Sequence, residues 1–245
     1  PTLKDNNMFI SFFNVVYYNV TQKKIHCGFE FFNEILISRW VVNSSAVIIS
    51  AIDSAYAIEG KKVEKERLLN LSLAYESHPD NITPAVMGGF NVASVHENEV
   101  KFITKSIPRT LRAVVVVPNR PISTTLSRKT LPYKYSKEDT IFNISHSSLL
   151  TAAFMSENWE MLKYASADMV HQQFRMRHMP ELFEVQKTAL KNGALMSTLS
   201  GSGSTFFSVA YSEDSQKLEL ALKEKFPHFR VMSVDFDNNG VKIEI

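Results

Sequence analysis

The chain has little glycine, a single cysteine and no long apolar run, and each scarcity excludes a class of protein. One cysteine, Cys27, rules out an internal disulfide framework and a cysteine-rich zinc site. The longest branched apolar run, 113–117, is far shorter than the roughly 18 residues of a membrane span. No signal peptide is recognisable near the N-terminus. We therefore expect a cytoplasmic protein with no membrane partner.

The chain also lacks a large excess of either positive or negative charge. The chain has 27 basic and 25 acidic side chains, so the net charge is +2, and the basic residues are scattered among acids. A nucleic-acid partner is therefore not expected, because its footprint is a clustered basic face. Seven histidines are dispersed without a pair at metal-ligand spacing. With 44% apolar and 21% charged residues in 245, the composition is typical of a globular protein of one large or two ordinary domains.

Glycine is scarce, and half of the glycines are clustered. There are eight glycines in 245 residues, below the usual share of about 7%. Four of them lie in two short places, Gly88–Gly89 and Gly201 with Gly203. We expect these places to need backbone freedom or close backbone approach.

Apolar periodicity predicts a mixture of helices and strands. Helices are predicted over 6–21, 44–58 (with a serine cap), 63–76, 137–155, 158–169, 181–191 and 213–225. Strands are predicted over 24–33, 86–95, 99–104, 111–117, 195–199, 205–211, 229–236 and 241–245. Because strands and helices do not alternate strictly, the pattern favours an α+β fold. A break near Arg109 predicts two domains, 1–109 and 110–245.

A first candidate site is the run Glu76-Ser77-His78-Pro79-Asp80-Asn81, followed by Pro84-Ala85 and Gly88-Gly89-Phe90. Carboxylate oxygens are suitable ligands for Mg²⁺, and aspartate, histidine and asparagine side chains can orient a substrate hydroxyl. The alternative interpretation is a helix end followed by a Pro-Asp-Asn turn.

A second candidate site is Ser200-Gly201-Ser202-Gly203, between two predicted strands. Consecutive backbone N–H groups in such a loop can form an anion-binding nest. An ordinary hairpin turn would have the same composition.

A third candidate site is the start of the small-residue helix at Ser44 and Ser45, preceded by Arg39. A helix N-terminus can hold phosphate, although the bulky Trp40 and Val42 oppose a close cradle. Two further arginines, Arg128 and Arg175, could each grip a carboxylate, or could be solvated surface charges.

In this order the motifs resemble the homoserine kinases, a family within the GHMP small-molecule kinases. The resemblance is strongest for Glu-x-His-Pro-Asp-Asn-x-x-Pro-Ala-x-x-Gly-Gly-Phe at 76–90, and it extends to 123–132, 141–146, 171–185 and 200–203. It implies an N-terminal domain like ribosomal protein S5 domain 2 and a ferredoxin-like C-terminal domain. It further implies ATP- and Mg²⁺-dependent phosphorylation of the L-homoserine side-chain hydroxyl in threonine biosynthesis, and it leaves room for a homodimer.

The same resemblance implies roles for individual residues. The resemblance implies that Ser44 and Glu76 bind Mg²⁺. The substrate and its reacting hydroxyl would be lined by His78, Asp80, Asn81 and Thr124, and the substrate carboxylate would be bound by Arg128 and Arg175. The residues implied to bind the nucleotide and its phosphates are Arg39, Ser44, Ser45, Ser200, Gly201, Ser202 and Gly203.

Two departures from the family pattern leave alternatives open. The first family motif is absent, so the resemblance begins downstream of it, and this fits a chain that starts at Pro1. In the second motif, glycines of the family are replaced by Trp40 and Val42, and Ser204 stands where proline is usual. One alternative is thus a non-catalytic relative that binds substrate but has lost nucleotide binding. Another is a related kinase for a different alcohol, such as mevalonate.

Overall fold

The computed structural model describes residues 7–31, 43–120, 127 and 129–242. Their contacts form two compact units: a first unit of described residues up to 106 together with 237–242, and a second unit of 107–236. The assignment of two family domains meeting near Arg109 stays a prediction. Within the described ranges, no helix is both long and apolar enough to cross a bilayer.

The first unit packs four helices and a hairpin around one core. Its elements are α1 (Met8–Thr21), α2 (Asn43–Ala57), α3 (Lys65–Ser72), α4 (Pro79–Met87), β1 (Phe90–His96) and β2 (Glu99–Lys105). Helix α1 begins at Asn7, whose side-chain oxygen accepts from the Phe9 N–H at 2.8 Å. Phe9, Phe13 and Tyr17 recur every four residues, so they share the face that is buried against α2.

The second unit is built on one antiparallel sheet. Its elements are β3 (Leu111–Val117), α5 (Lys137–Ser156), a 3₁₀ turn (Trp159–Met161), α6 (Leu162–Ala165), α7 (Gln172–Met176), α8 (Glu181–Lys191), β4 (Met196–Leu199), β5 (Phe206–Tyr211), α9 (Ser212–Lys225) and β6 (Arg230–Val234). The strand order is β4-β5-β3-β6, with every neighbouring pair antiparallel. Strand β3 is central and almost wholly buried, as its β-branched run predicts. The β-α-β-β-α-β succession and this order are those of a ferredoxin-like domain, which confirms the predicted α+β class.

Several predicted elements are wrong or shorter in the structure. The described part of the first predicted strand, 24–31, has no ladder partner among the described residues, although alternate side chains such as Phe29 do pack into the core. The predicted helix over 158–169 is only the 3₁₀ turn and α6, and residues 241–242 form no strand. Helices α4 and α7 were not predicted, because five to nine residues hold too few turns for a clear apolar period.

Candidate active site

The connection between α3 and α4 carries the first candidate site. Helix α3 ends at Ser72, and α4 begins at Pro79, so Glu76 and His78 lie on the connection. Asp80 and Asn81 lie in the first turn of α4. The interpretation of this run as a Pro-Asp-Asn turn is therefore wrong, because the segment is the start of a helix.

Local sequence explains why α4 starts there. Pro79 occupies the first helical position, where its fixed φ suits a helix and its missing N–H has no partner to lose. An acidic side chain in the first turn, Asp80, interacts favourably with the helix dipole. Ile82 and Val86 are one turn apart and fully buried, so they anchor the opposite face in the core. The buried face of α4 thus fixes the helix whose first turn carries the Asp80 carboxylate.

Four polar side chains of this segment, those of Glu76, His78, Asp80 and Asn81, have no partner among the described residues. Asp80 and His78 are exposed, while Glu76 and Asn81 are half-buried. In the part of the chain that the structure describes, none of these four side chains makes a hydrogen bond or an ion pair. Two carboxylates, an imidazole and an amide are therefore available to a ligand.

The paired glycines after α4 meet a second segment of backbone. Gly88 has φ of +75°, and a Cβ there would lie 2.5 Å from the carbonyl carbon of Asn238. The Gly89 N–H donates to the carbonyl of Asp237 at 2.8 Å. The predicted need for close backbone approach is confirmed here, and the approaching segment comes from the far end of the chain.

The second candidate site is a turn between β4 and β5. The Gly203 N–H donates to the Ser200 carbonyl at 2.9 Å, which closes a four-residue turn. Gly201 and Gly203 have φ of +54° and +85°. The Ser202 carbonyl accepts from Ser127 Oγ at 2.7 Å. The backbone N–H groups of Gly201 and Ser202 donate to no described residue, so this turn retains donors for an anion.

Arg175 contacts the same turn. Its Nη1 donates to the Gly201 carbonyl at 2.7 Å, and its side chain extends from the last turn of α7. The structure thus brings together two predicted site features, Arg175 and residues 200–203, although Arg175 and Gly201 lie 26 residues apart in the chain.

The segment before α7 is organised by Asp168, whose side chain is only 8% exposed. Its carboxylate accepts from Asn143 Nδ2 at 2.8 Å and from the backbone N–H groups of His171 and Gln172 at 2.9 and 2.6 Å. Burial opposes the charged form, but these hydrogen bonds outweigh burial and lower the pKa of Asp168. Burial also lowers the pKa of His171. Asp168 is therefore held as a carboxylate.

Sequence reasoning assigned no role to Asn143, Asp168 or Gln172. Gln172 is buried, and its Oε1 accepts from the Leu199 N–H at 2.9 Å, which ties α7 to the end of β4. A signal for Asp168 was present, because an aspartate three and four residues before two helix-start N–H groups is a capping pattern.

The donors implied for Mg²⁺ fit that ion chemically. Ser44 lies in the first turn of α2 as described, one residue inside the helix rather than at a cap, and it is exposed. Glu76 offers a carboxylate that has no partner among the residues that the structure describes. No group of three or more histidine, cysteine, aspartate or glutamate side chains forms a metal cluster among the described residues. That sparse set suits Mg²⁺, which takes one or two carboxylates and completes its shell with water and phosphate oxygens. Ser45 is buried, and its Oγ has no hydrogen-bond partner within the described ranges.

The remaining predicted residues cannot be placed. Arg39, Thr124 and Arg128 lie outside the described residues, as do Trp40 and Val42. The structure gathers Glu76, His78, Asp80 and Asn81 in the first unit, and Arg175 with the turn 200–203 in the second.

The sequence matches known proteins along its whole length. The family model described as GHMP kinases C terminal matches residues 147–228. The homoserine kinase of Aliarcobacter butzleri (strain RM4018) is 76% identical over 245 residues, which are 100% of this chain and 84% of that protein. The homoserine kinase of a Nitratiruptor species is 57% identical over 242 residues, covering 99% of this chain and 83% of that protein.

Solved structures share the fold at much lower identity. A crystal structure of homoserine kinase from Cytophaga hutchinsonii ATCC 33406 has a TM-score of 0.82 at 20% identity, covering 95% of this chain and 77% of that chain. A mevalonate kinase crystal structure has a TM-score of 0.70 at 13% identity, covering 96% of this chain and 77% of that chain. Both likenesses show a GHMP kinase fold and leave the substrate open.

Proposed function

Because this chain belongs to the homoserine kinase family, within the GHMP kinases, we propose that it transfers the γ-phosphoryl group of ATP to the side-chain hydroxyl of L-homoserine. The product is O-phospho-L-homoserine, and we place the reaction in threonine biosynthesis in the cytoplasm. The observation that carries the proposal is the 76% identity to the Aliarcobacter butzleri homoserine kinase, which extends over all 245 residues.

The reacting hydroxyl is assigned to the segment around the start of α4. Asp80, Asn81 and Thr124 are the proposed catalytic residues, and His78 would contact the substrate. Support comes from the exposed Asp80 carboxylate, which has no partner among the described residues and can accept the hydroxyl proton or orient the oxygen for attack. Little covalent chemistry is needed from the protein, since phosphoryl transfer depends mainly on positioning and charge stabilisation.

The substrate carboxylate is assigned to Arg175 and Arg128. A guanidinium carries five N–H donors, and the bond from Arg175 Nη1 to the Gly201 carbonyl uses one of them. A planar fork that is already oriented by one bond loses less conformational freedom when it binds a second acceptor.

The nucleotide is assigned to the two remaining sites. Arg39, Ser44 and Ser45 would contact phosphate oxygens at the start of α2, and the turn Ser200–Gly203 would offer the N–H groups of Gly201 and Ser202. Ser44 and Glu76 would hold Mg²⁺, which when bound neutralises charge on the β- and γ-phosphates.

A coupled assay for ADP release with ATP, Mg²⁺ and L-homoserine tests the proposal, with ³¹P NMR to identify the phosphate monoester. We expect ADP and phosphohomoserine to form in equal amounts. Release of ADP with mevalonate, but not with homoserine, would overturn the substrate assignment.

Loss of nucleotide binding is tested separately, because Trp40 and Val42, on which that hypothesis rests, lie outside the described residues. Calorimetric titrations with ATP–Mg²⁺ and with homoserine distinguish the two cases. We expect both ligands to bind. Homoserine binding without ATP binding would identify a non-catalytic relative.

A further inference from the structure

We propose that Asp168 and Asn143 form a positioning pair that sets the orientation of Arg175 toward the substrate. This inference rests on the proposed function, since it assumes that Arg175 binds the homoserine carboxylate. Neither residue is proposed to touch the substrate. Both act through α7, the five-residue helix that carries Arg175.

The pair is a closed set of four hydrogen bonds. Asn143 donates through Nδ2 to Asp168 Oδ1 and accepts from the Met169 N–H through Oδ1, both at 2.8 Å. Asp168 Oδ2 accepts from the N–H groups of His171 and Gln172. Helix α5, which carries Asn143, is thereby joined to the first turn of α7.

Helix α7 cannot set its own orientation. Five residues are far below the length at which an isolated helix is stable, so its direction depends on the groups that hold it. The Asp168 carboxylate and the bond from Leu199 to Gln172 hold its first turn, and the Arg175–Gly201 bond holds its last. Removing the Asp168 attachment takes away two of these three hydrogen bonds to the first turn, and leaves the bond from Leu199 to Gln172 there.

This arrangement requires acceptor oxygens at the right positions, and it does not require a negative charge at Asp168. All three hydrogen-bond donors to Asp168 are neutral amides. Among the described residues its one cationic partner is His171, with Nε2 3.8 Å from Oδ1, and that histidine has a lowered pKa. Exchanging the two side chains should therefore preserve the arrangement. In Asn143→Asp with Asp168→Asn, the new carboxylate accepts from Met169 and from the new amide, whose oxygen accepts from His171 and Gln172.

Homoserine kinetics of the two single variants and the exchanged double variant test the pair. Asp168→Asn sets two amide donors against each other, so we expect the KM for homoserine to rise about tenfold, with kcat changed less than about threefold. Asn143→Asp places two carboxylates opposite each other and should raise the KM for homoserine by a similar factor. The double variant should return to within about threefold of the wild-type KM.

Two controls separate positioning from general loss of structure. Ser136→Ala removes the hydrogen bond that caps α5, from the Asp139 N–H to Ser136 Oγ, and should leave the KM unchanged. In an Arg175→Ala background, Asp168→Asn should add nothing to the KM. If Asp168→Asn does not fold, Asn143→Ala keeps both backbone bonds of Asp168 and should still raise the KM about threefold.

The outcomes distinguish this inference from the function on which it rests. A wild-type protein that neither phosphorylates nor binds homoserine overturns both. An active wild type whose KM survives Asp168→Asn overturns only the positioning pair. An unrescued double variant, or additive effects with Arg175→Ala, overturns the pair in the same way.

Discussion

Asp53 in the first unit is buried and Asp168 in the second has a side chain only 8% exposed, yet their environments shift their pKa values in opposite directions. Asp53 is 4% exposed, its Oδ1 has no hydrogen-bond partner among the described residues, and burial raises its pKa to about 6. Asp168 accepts three hydrogen bonds, and its pKa is lowered despite burial. Burial alone therefore does not determine the charge of a carboxylate; the donors around it do.

The contrast extends to neutral side chains. Thr83 in the first unit is fully buried, with no partner for Oγ1 in the described part of the chain. In the second unit, buried Ser197 and Ser208 pair with each other across β4 and β5 at 2.8 Å. Within the described ranges, these two hydroxyls of the second unit satisfy each other, although His171 Nδ1 in that unit is also buried without a partner. Among the described residues, the first unit leaves Thr83 Oγ1 unpartnered in its core and the four polar side chains near the start of α4 unpartnered at its surface.

The largest expected effect tests whether the exposed acids of the first unit serve a ligand. Asp80→Asn should lower kcat by about 10³-fold while changing the homoserine KM only severalfold, because the carboxylate acts on the hydroxyl during transfer. Steady-state kinetics with ATP held saturating measures both parameters.

Glu66→Gln is the matched control for Asp80. Glu66 is also exposed in the first turn of a helix, α3, and its change should leave both parameters near wild type. Equal losses in the two variants would show that Asp80 acts only through the helix dipole.

The next effect is the pH dependence that Asp53 imposes on stability. A folded pKa of about 6, above the ordinary 3.8, means that the folded state binds the proton more tightly. Stability should therefore fall as pH rises from about 4 to 6, by something on the order of 3 kcal/mol. Asp53→Asn should remove this slope and raise the free energy of unfolding at pH 8, as measured in urea.

Asp168 should show the opposite sign. Its lowered pKa contributes stability that is present above the ordinary value and is lost as pH falls through the folded value. The control for the Asp53 prediction is Asp235, whose side chain is 81% exposed. Its change to asparagine should leave the slope of stability over pH 4 to 6 in place. An unchanged slope in Asp53→Asn would place the titration elsewhere.

A smaller effect is expected for Arg175, which is proposed to bind the substrate carboxylate. Arg175→Ala should raise the homoserine KM about 30-fold, equivalent to roughly 2 kcal/mol, because a charge-assisted carboxylate clamp is lost. Arg175→Lys should recover only part of this, since lysine lacks the planar fork. Arg177→Ala, two residues along and exposed, should leave the KM unchanged.

The smallest effect compares the buried hydroxyls. Thr83→Val removes an unpartnered buried oxygen without changing shape, and should stabilise the protein by up to about 1 kcal/mol. Ser208→Ala should instead destabilise it, since Ser197 loses its partner. Thermal unfolding of both variants checks the pair of signs, and a destabilised Thr83→Val would mean that Oγ1 has a role in the fold.

Much of the fold could be predicted from local pattern. Strand β3 has the predicted bounds because seven residues that are nearly all branched or apolar favour a buried strand. Helix α8 likewise has its predicted bounds, where apolar residues recur at helical spacing. The strand predicted over 24–33 failed in its described part because alternation sets which side chains are buried, while a strand also needs a neighbouring backbone.

The candidate site divides in the same way. Its proposed members at 76–90 and Ser200–Gly203 could be singled out from local motifs of the sequence, and their roles stay proposals. The capping pattern marks Asp168 as a helix-start residue, but its link to α5 could not be predicted, since its side-chain donor, Asn143, lies 25 positions away on that helix.

The amino-acid sequence by itself determined most of the element types, the α+β class and the family, because helical and strand periods and motif spacing are local properties of a chain. Only the tertiary structure decided the order β4-β5-β3-β6, the approach of residues 237–240 to Gly88, and the contact of Arg175 with Gly201. These depend on segments distant in sequence becoming neighbours, and packing of the whole chain selects which segments meet.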